Sequence, residues 1–167
     1  MNEIYFAGGC FWGTQHYLKQ IRGVVATAVG YANGTTPNPT YEEVYSDLTG
    51  YVECVRVEYD PATITLRRLV ELYFASIDPT LLNRQGNDVG TRYRTGIYYT
   101  CEEDRATIAE VYLAEQTKYE SELTTEVEPL RCFVAAEAYH QDYLEKNPAG
   151  YCHLPAALFK FAREANK

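Results

Sequence analysis

A cysteine stands at position 10 between Gly8-Gly9 and Phe11-Trp12-Gly13, where an apolar run gives way to a helical pattern. The run Ile4-Tyr5-Phe6-Ala7 reads as a strand, and Thr14-Gln15-His16-Tyr17-Leu18-Lys19 reads as a helix. A thiol at such a junction meets backbone N–H groups and the positive end of a helix dipole, both of which favour a thiolate nucleophile. Phe11 and the single tryptophan of the chain, Trp12, put aromatic surface beside it. The flanking glycines let a second molecule approach closely. Attack on something small and partly apolar is the chemistry this suits. A cysteine that serves only as a small buried hydrophobe needs none of this company.

A second chemical group emerges from the alternation in Tyr51–Tyr59. One face of that strand carries Tyr51, Glu53, Val55, Val57 and Tyr59, and the other carries Val52, Cys54, Arg56 and Glu58. Glu53 is the only charge on the apolar face. Desolvation there lifts a carboxyl pKa above its ordinary value of about 4.3. A carboxyl kept protonated near neutral pH is a general acid. The polar loop Arg84–Arg94 holds Asp88 and Tyr93 as candidate hydrogen-bonding groups; ordinary turn chemistry explains them equally well.

Five cysteines, at 10, 54, 101, 132 and 152, include no C-x-x-C pair, so neither a zinc knuckle nor a thioredoxin-type motif is present. Cys54 lies on the strand face opposite Glu53. Cys101 precedes three acidic residues that oppose a thiolate, and Cys132 reads as a strand residue. Cys152 follows Pro148-Ala149-Gly150-Tyr151, a segment built for a loop, and a loop thiol can travel to meet another sulfur. His16, His140 and His153 keep a Cys–His hydrolase open. A redox-sensing or binding module, forming a disulfide without turnover, is the other alternative.

The elements that must position these groups are readable in outline. Val24–Tyr31, Tyr51–Tyr59 and Thr95–Tyr99 are further strands. Leu66, Leu69, Val70, Tyr73, Phe74 and Ile77 mark an amphipathic helix with Thr65 as N-cap. Thr100-Cys101-Glu102-Glu103 has capping-box spacing and opens a helix to about Glu122. Glu126–Val134 is extended, and short helices near Glu137–Glu145 and Pro155–Ala165 finish a loop-rich C-terminal segment. This order predicts an α+β sandwich rather than a doubly wound sheet. At 167 residues one domain over 1–167 is expected. A balance of 23 acidic against 15 basic side chains argues against nucleic acid or an anionic membrane as partner. The N-terminal residues have neither a basic region nor a long apolar stretch, so no signal peptide, no membrane span and a cytoplasmic location are expected.

Taken together the chain resembles the A-type peptide methionine sulfoxide reductases. The resemblance rests on Gly-Cys-Phe-Trp at 9–12, Pro-Asn-Pro-Thr-Tyr at 37–41, Thr-Gly-x-x-Glu at 49–53 and Tyr-Asp-Pro at 59–61. It continues through Asp-Pro-Thr at 78–80, Gln-Gly-Asn-Asp-x-Gly-Thr-x-Tyr-Arg at 85–94 and Ala-Glu-x-Tyr-His-Gln-x-Tyr at 136–143. It implies a two-layer α/β sandwich of ferredoxin-like character, with a mixed central sheet and flanking helices. By resemblance Cys10 is the nucleophile, Phe11 and Trp12 hold the S-methyl group, and Glu53 is the acid. Tyr41 and Tyr93 become the hydroxyl donors to the sulfoxide oxygen, Asp88 an acid supporting the site through hydrogen bonds, and Cys152 the resolving cysteine.

The resemblance also implies a reaction: reduction of the S epimer of methionine sulfoxide in peptides and proteins. A Cys10 sulfenic acid forms, condenses with Cys152 to a disulfide, and thioredoxin reduces it. No metal or organic cofactor is implied. Cys132 and Cys101 stay available in principle as resolving thiols. Ile77 stands where the family commonly has His before Asp-Pro-Thr, and Gly-Tyr-Val-Glu at 50–53 replaces Gly-His-Ala-Glu.

Overall fold

Strand β1 (Asn2–Gly8) runs into helix α1 (Phe11–Leu18), as the junction predicts, except that the helix starts three residues earlier and makes Cys10 its N-cap. The computed structural model describes residues 1–166. Strands β2 (Val24–Ala32) and β3 (Val52–Tyr59) follow, separated by the short helix α2 (Tyr41–Tyr45). After α3 (Leu66–Phe74) come the two-residue strands β4 (Arg84–Gln85) and β5 (Asp88–Val89), a 3-10 turn (Thr91–Tyr93) and β6 (Thr95–Tyr99). Then follow α4 (Glu102–Gln116), β7 (Glu126–Pro129), β8 (Phe133–Ala135), a 3-10 turn (Ala138–His140), α5 (Tyr143–Lys146) and α6 (Ala156–Ala165).

The main sheet has the order β7-β6-β1-β3-β2-β8. All its pairs are antiparallel except β6–β7, so the sheet is mixed. The stretch expected to be extended from 126 to 134 is two strands that close opposite edges of this sheet. Five strand spacings of about 4.8 Å separate flat edges, whereas the link from Pro129 to Phe133 reaches only about 14 Å. The sheet must therefore curl until its edges approach. Asn33 holds the crossing, its Oδ1 accepting the Arg131 N–H at 2.7 Å and the Cys132 N–H at 3.3 Å.

The curl separates two cores. Tyr5, Ala7, Val52, Cys54 and Tyr98 form a small cluster on one face with Leu130 and Phe133. The main core holds Ile4, Phe6, Val55, Val57 and Tyr59 against Leu18, Leu69, Val70, Tyr73 and Ile108 of the helices. The alternation read along β3 is thus the partition between the two cores, and it puts Glu53 on the helix-covered side.

Local signals fare unevenly. Thr65 caps α3, its Oγ1 accepting the Arg68 N–H at 3.1 Å. The capping box expected at Thr100 does not form. Cys101 is the N-cap without a side-chain bond, and Glu102, Glu103 and Asp104 complement the dipole instead. The helix ends at Gln116, short of Glu122, because the Gln116 side chain bonds the Ser121 carbonyl and the Leu123 N–H and folds the chain back. A complete capping box exists elsewhere: Thr40 and Glu43 cap each other's backbone at 3.2 and 3.3 Å and start α2. Among the described residues no helix is long and apolar enough to cross a membrane.

Candidate active site

Cys10 and Glu53 meet where β1 ends and α1 begins. The Phe11 N–H, an unpaired donor of the first helical turn, donates to Glu53 Oε1 at 3.1 Å. The carboxyl from β3 is therefore bound to the residue following the nucleophile. Glu53 is 1 % exposed and its pKa is raised to about 8. Burial is the main cause; the Phe11 N–H and Arg92 act against it, and Asp88 and Asp47 add to it. Glu53 is thus a carboxylic acid at neutral pH, as the lone charge on an apolar face predicts.

The expectation for Cys10 needs correction. Its thiol is pushed well above the ordinary range, first by burial and then by the charge of Glu53. The Trp12 and Gly13 N–H groups pull the other way without prevailing. The helix N-terminus is present, but desolvation outweighs it, so the resting site is a thiol beside a carboxylic acid. The glycines also serve a different neighbour from the one expected. Gly9 has φ +90°, and a Cβ there would lie 2.8 Å from Gln85 Cβ and 3.2 Å from His153 Nε2. A Cβ on Gly13 would lie 2.9 Å from His153 Nδ1 and 3.1 Å from Cys152 Sγ. The chain's own C-terminal loop, not a second molecule, occupies that space.

The aromatic wall is anchored from the C-terminal segment. Phe11 is buried, and Trp12, partly buried, stacks on Tyr143 with centroids 3.8 Å apart. The Trp12 indole N–H donates to His140 Nδ1 at 3.0 Å. Indole is a donor only, so the proton of this neutral imidazole sits on Nε2. Burial lowers the His140 pKa, in keeping with neutrality. Glu137 ties the same segment to the donors' side, accepting the Tyr31 hydroxyl at 2.9 Å and the Tyr41 N–H at 3.2 Å.

Tyr41 is the first residue of α2, and Tyr93 ends the 3-10 turn. Burial raises both phenol pKa values, and the charge of Glu53 is the next cause for each. Asp47 and Arg92 clasp the two elements together. Asp47 accepts the Thr91 hydroxyl (3.1 Å), the Arg92 N–H (3.0 Å) and Arg92 Nη1 (2.5 Å). The guanidinium lies 4.1 Å from the Tyr45 ring centroid and 4.3 Å from that of Tyr93.

Asp88 lies on β5 of the small hairpin. Its hydrogen bond comes from the Tyr151 hydroxyl at 2.9 Å, and its charge raises the pKa values of Cys10 and Glu53. Cys152 is half-buried, with Sγ 3.4 Å from both the N–H and the carbonyl of Leu154. All five cysteines are free thiols. Cys101 stands at the far end of the sheet: Gly8 pairs with Thr95, and Cys101 lies beyond Tyr99. The five residues of β6, at about 3.3 Å each, lie between the Cys10 end of the sheet and Cys101. Cys132 points its thiol at the Gly34 carbonyl, 3.8 Å away.

A Cys–His hydrolase finds no support. His16 sits edge-on to Phe159, His140 holds Trp12, and His153 bonds the Gly8 carbonyl; none bonds Cys10. Of the departures, Ile77 packs against Gly8, and the Tyr51 hydroxyl donates to the Thr36 carbonyl at 2.5 Å. Sequence reasoning did not single out Asp47, Arg92, Glu137, Tyr143 or Tyr151. Their parts depend on partners about 45 to 130 positions away, which periodicity does not report.

The family model for peptide methionine sulfoxide reductase matches residues 2–167. The peptide methionine sulfoxide reductase MsrA of Clostridium acetobutylicum is 54 % identical over 160 residues, covering 96 % of this chain and 99 % of the relative. Among solved structures, Mxr1 from Saccharomyces cerevisiae in reduced form superposes with a TM-score of 0.86 at 39 % identity, covering 90 % of this chain and 87 % of that one. Mxr1 in complex with Trx2 superposes with a TM-score of 0.61 at 29 % identity, covering 84 % and 83 %.

Proposed function

Because this chain belongs to the peptide methionine sulfoxide reductase family, we propose that it reduces the S epimer of methionine sulfoxide in peptides and proteins, with Cys10 as nucleophile and Glu53 as acid. One observation carries the assignment of roles. Glu53, buried and with its pKa raised to about 8, is hydrogen-bonded to the residue that follows Cys10.

A sulfoxide is polar at oxygen and apolar at its methyl group. Phe11 and Trp12 offer aromatic surface to the methyl, while Glu53, Tyr41 and Tyr93 offer donors to the oxygen. Cys10 sulfur attacks the sulfoxide sulfur. Charge building on oxygen is met by the Glu53 proton and the two phenols. The thiol proton of Cys10 restores the acid. The Cys10–substrate S–S bond then breaks as oxygen passes between the two sulfurs: the substrate S–O bond breaks and an S–O bond forms at Cys10, so methionine leaves reduced and Cys10 becomes a sulfenic acid.

Cys152 condenses with that acid to give a disulfide and water. Its approach to Gly13 supports this role, as does the distance of Cys101. Thioredoxin then reduces the disulfide, a reading supported by the capture of the similar yeast Mxr1 with Trx2. A single domain over the chain, a ferredoxin-like inner unit of β1, α1, β2, β3, α3 and β6, and a reducing cytoplasmic setting belong to the same reading. The antiparallel order β6-β1-β3-β2 supports the inner unit.

The test is to incubate the reduced protein with a methionine sulfoxide peptide, without reductant, and to count methionine and thiols. One methionine formed and two thiols lost per chain is the expected result. Methionine without lasting thiol loss would remove the resolving role. Acyl cleavage without methionine would remove the reductase.

A further inference from the structure

The structure points to a role for His153 that neither the fold nor the family assignment gives it: we propose that His153 is the base that takes the thiol proton of Cys152 when that cysteine resolves the Cys10 sulfenic acid. The inference rests on the resolving role of Cys152 proposed above.

The imidazole stands in a slot made by glycines. Its Nε2 lies 2.9 Å from the Gly8 carbonyl oxygen. A side chain at Gly13 would collide with the ring, one at Gly9 would crowd its Nε2 at 3.2 Å, and one at Gly86 would touch the His153 Cβ at 3.7 Å. A carbonyl only accepts, so the proton sits on Nε2 and the lone pair on Nδ1. Nδ1 is buried and has no hydrogen-bond partner among the described residues. An unpaired buried acceptor is costly, and it calls for an explanation. That atom and Cys152 Sγ both lie about 3 Å from the same point beside Gly13, the residue three positions after Cys10. The only thiol on the same loop therefore borders the same space as the free lone pair of the ring; at rest it donates to the Leu154 carbonyl at 3.4 Å, and it turns to Nδ1 when it reacts.

The surroundings suit a neutral base. Burial lowers the His153 pKa, opposed by the Gly8 carbonyl and by Asp88. The other titratable groups near it are Cys152 and Tyr151 on its own loop, Asp88 on β5 and Cys10 at the start of α1. Burial and Asp88 also raise the Cys152 thiol pKa, so this thiol needs a base to react. The step balances without an outside reagent. Cys152 gives its proton to His153 Nδ1 and its sulfur bonds to Cys10 Sγ. The Cys10 S–O bond breaks, and the leaving hydroxide takes the proton from Nδ1 as water. Cys152 is oxidised and Cys10 is reduced by the same amount.

The experiment mixes reduced protein with a methionine sulfoxide peptide and follows three signals: methionine, free thiols, and sulfenic acid trapped by a carbon nucleophile. His153→Gln keeps an amide N–H for the Gly8 carbonyl but has no basic nitrogen; His153→Ala loses both. Both variants are expected to release the first methionine within about twofold of the wild-type rate, which also shows that they are folded. Loss of the second thiol is expected to slow at least tenfold in both, with sulfenic acid accumulating. Disulfide formation at the wild-type rate in His153→Gln would overturn the base, leaving His153 as an anchor for the loop. Cys152→Ser separates the two readings. If it loses the second thiol like the wild type, the resolving assignment fails and the His153 proposal fails with it. If it stalls as sulfenic acid while His153→Gln resolves normally, only the His153 proposal fails.

Discussion

Cys10 and Cys152 both border Gly13, yet the molecule holds them in opposite ways. Cys10 is 6 % exposed, fixed as the N-cap of a helix and backed by a carboxyl from the middle of the sheet. Cys152 is half-buried in a stretch with no regular structure between α5 and α6, and one side of it lines a cleft with His16, Leu144 and Phe159. The first thiol is placed by the core and tuned by burial. The second is placed by loop contacts that glycines make room for. A rigid half-site suits a reaction in which oxygen, methyl and sulfur must be held at once. A looser half-site suits a thiol that must reach another sulfur and then be reached by a reductant.

Substitutions sharpen that contrast. Cys10→Ser should lower methionine release by at least about a thousandfold, since serine is a poor nucleophile without an activating base. Glu53→Gln keeps an oxygen for the Phe11 N–H but removes the proton. It should slow the chemical step on the order of a hundredfold or more, with KM within about twofold. A KM effect as large as the kcat effect would make Glu53 a binding residue. Cys152→Ser should leave the first methionine burst intact and remove thioredoxin-supported cycling; unchanged cycling would pass the resolving role to another thiol. Arg92→Gln loosens the clasp between α2 and the Thr91–Tyr93 turn, and so the spacing of Tyr41 and Tyr93. It should lower kcat about tenfold, and Asp47→Asn in the same chain should add little further loss, because both break one contact.

Stability offers an independent check on Glu53. Its pKa is about 8 in the folded chain and about 4.3 when unfolded. Between these values the folded state binds more protons than the unfolded state, so stability falls as pH rises through that window. Glu53→Gln removes that dependence. The variant should gain thermal stability over the parent at pH 9 and show little difference at pH 4; an equal gain at both would contradict a raised pKa.

How much of this was legible in sequence follows the range of each interaction. The strand–helix junction at Cys10 and the two faces of β3 are local patterns, and both appear in the fold. Thr100 and Thr40 teach a finer lesson. Both begin a Thr-x-x-Glu segment, but only Thr40 forms the box. At the Thr100 segment Cys101 takes the N-cap position, one residue later than the motif places it. The short elements α2, β4 and β5 escaped notice because two to five residues carry too little periodicity. The sign of the Cys10 shift was missed for a different reason. Helix position is written in the sequence, whereas burial of the thiol is a property of the packed core.

The central claim is that a protonated Glu53 delivers the proton during the first turnover. The direct measurement is the rate of the methionine burst against pH in the wild type and in Glu53→Gln. The wild-type rate should fall as pH rises through about 8, where the carboxyl loses its proton, and that fall should be absent from the slower variant. The same fall persisting in Glu53→Gln would contradict the account.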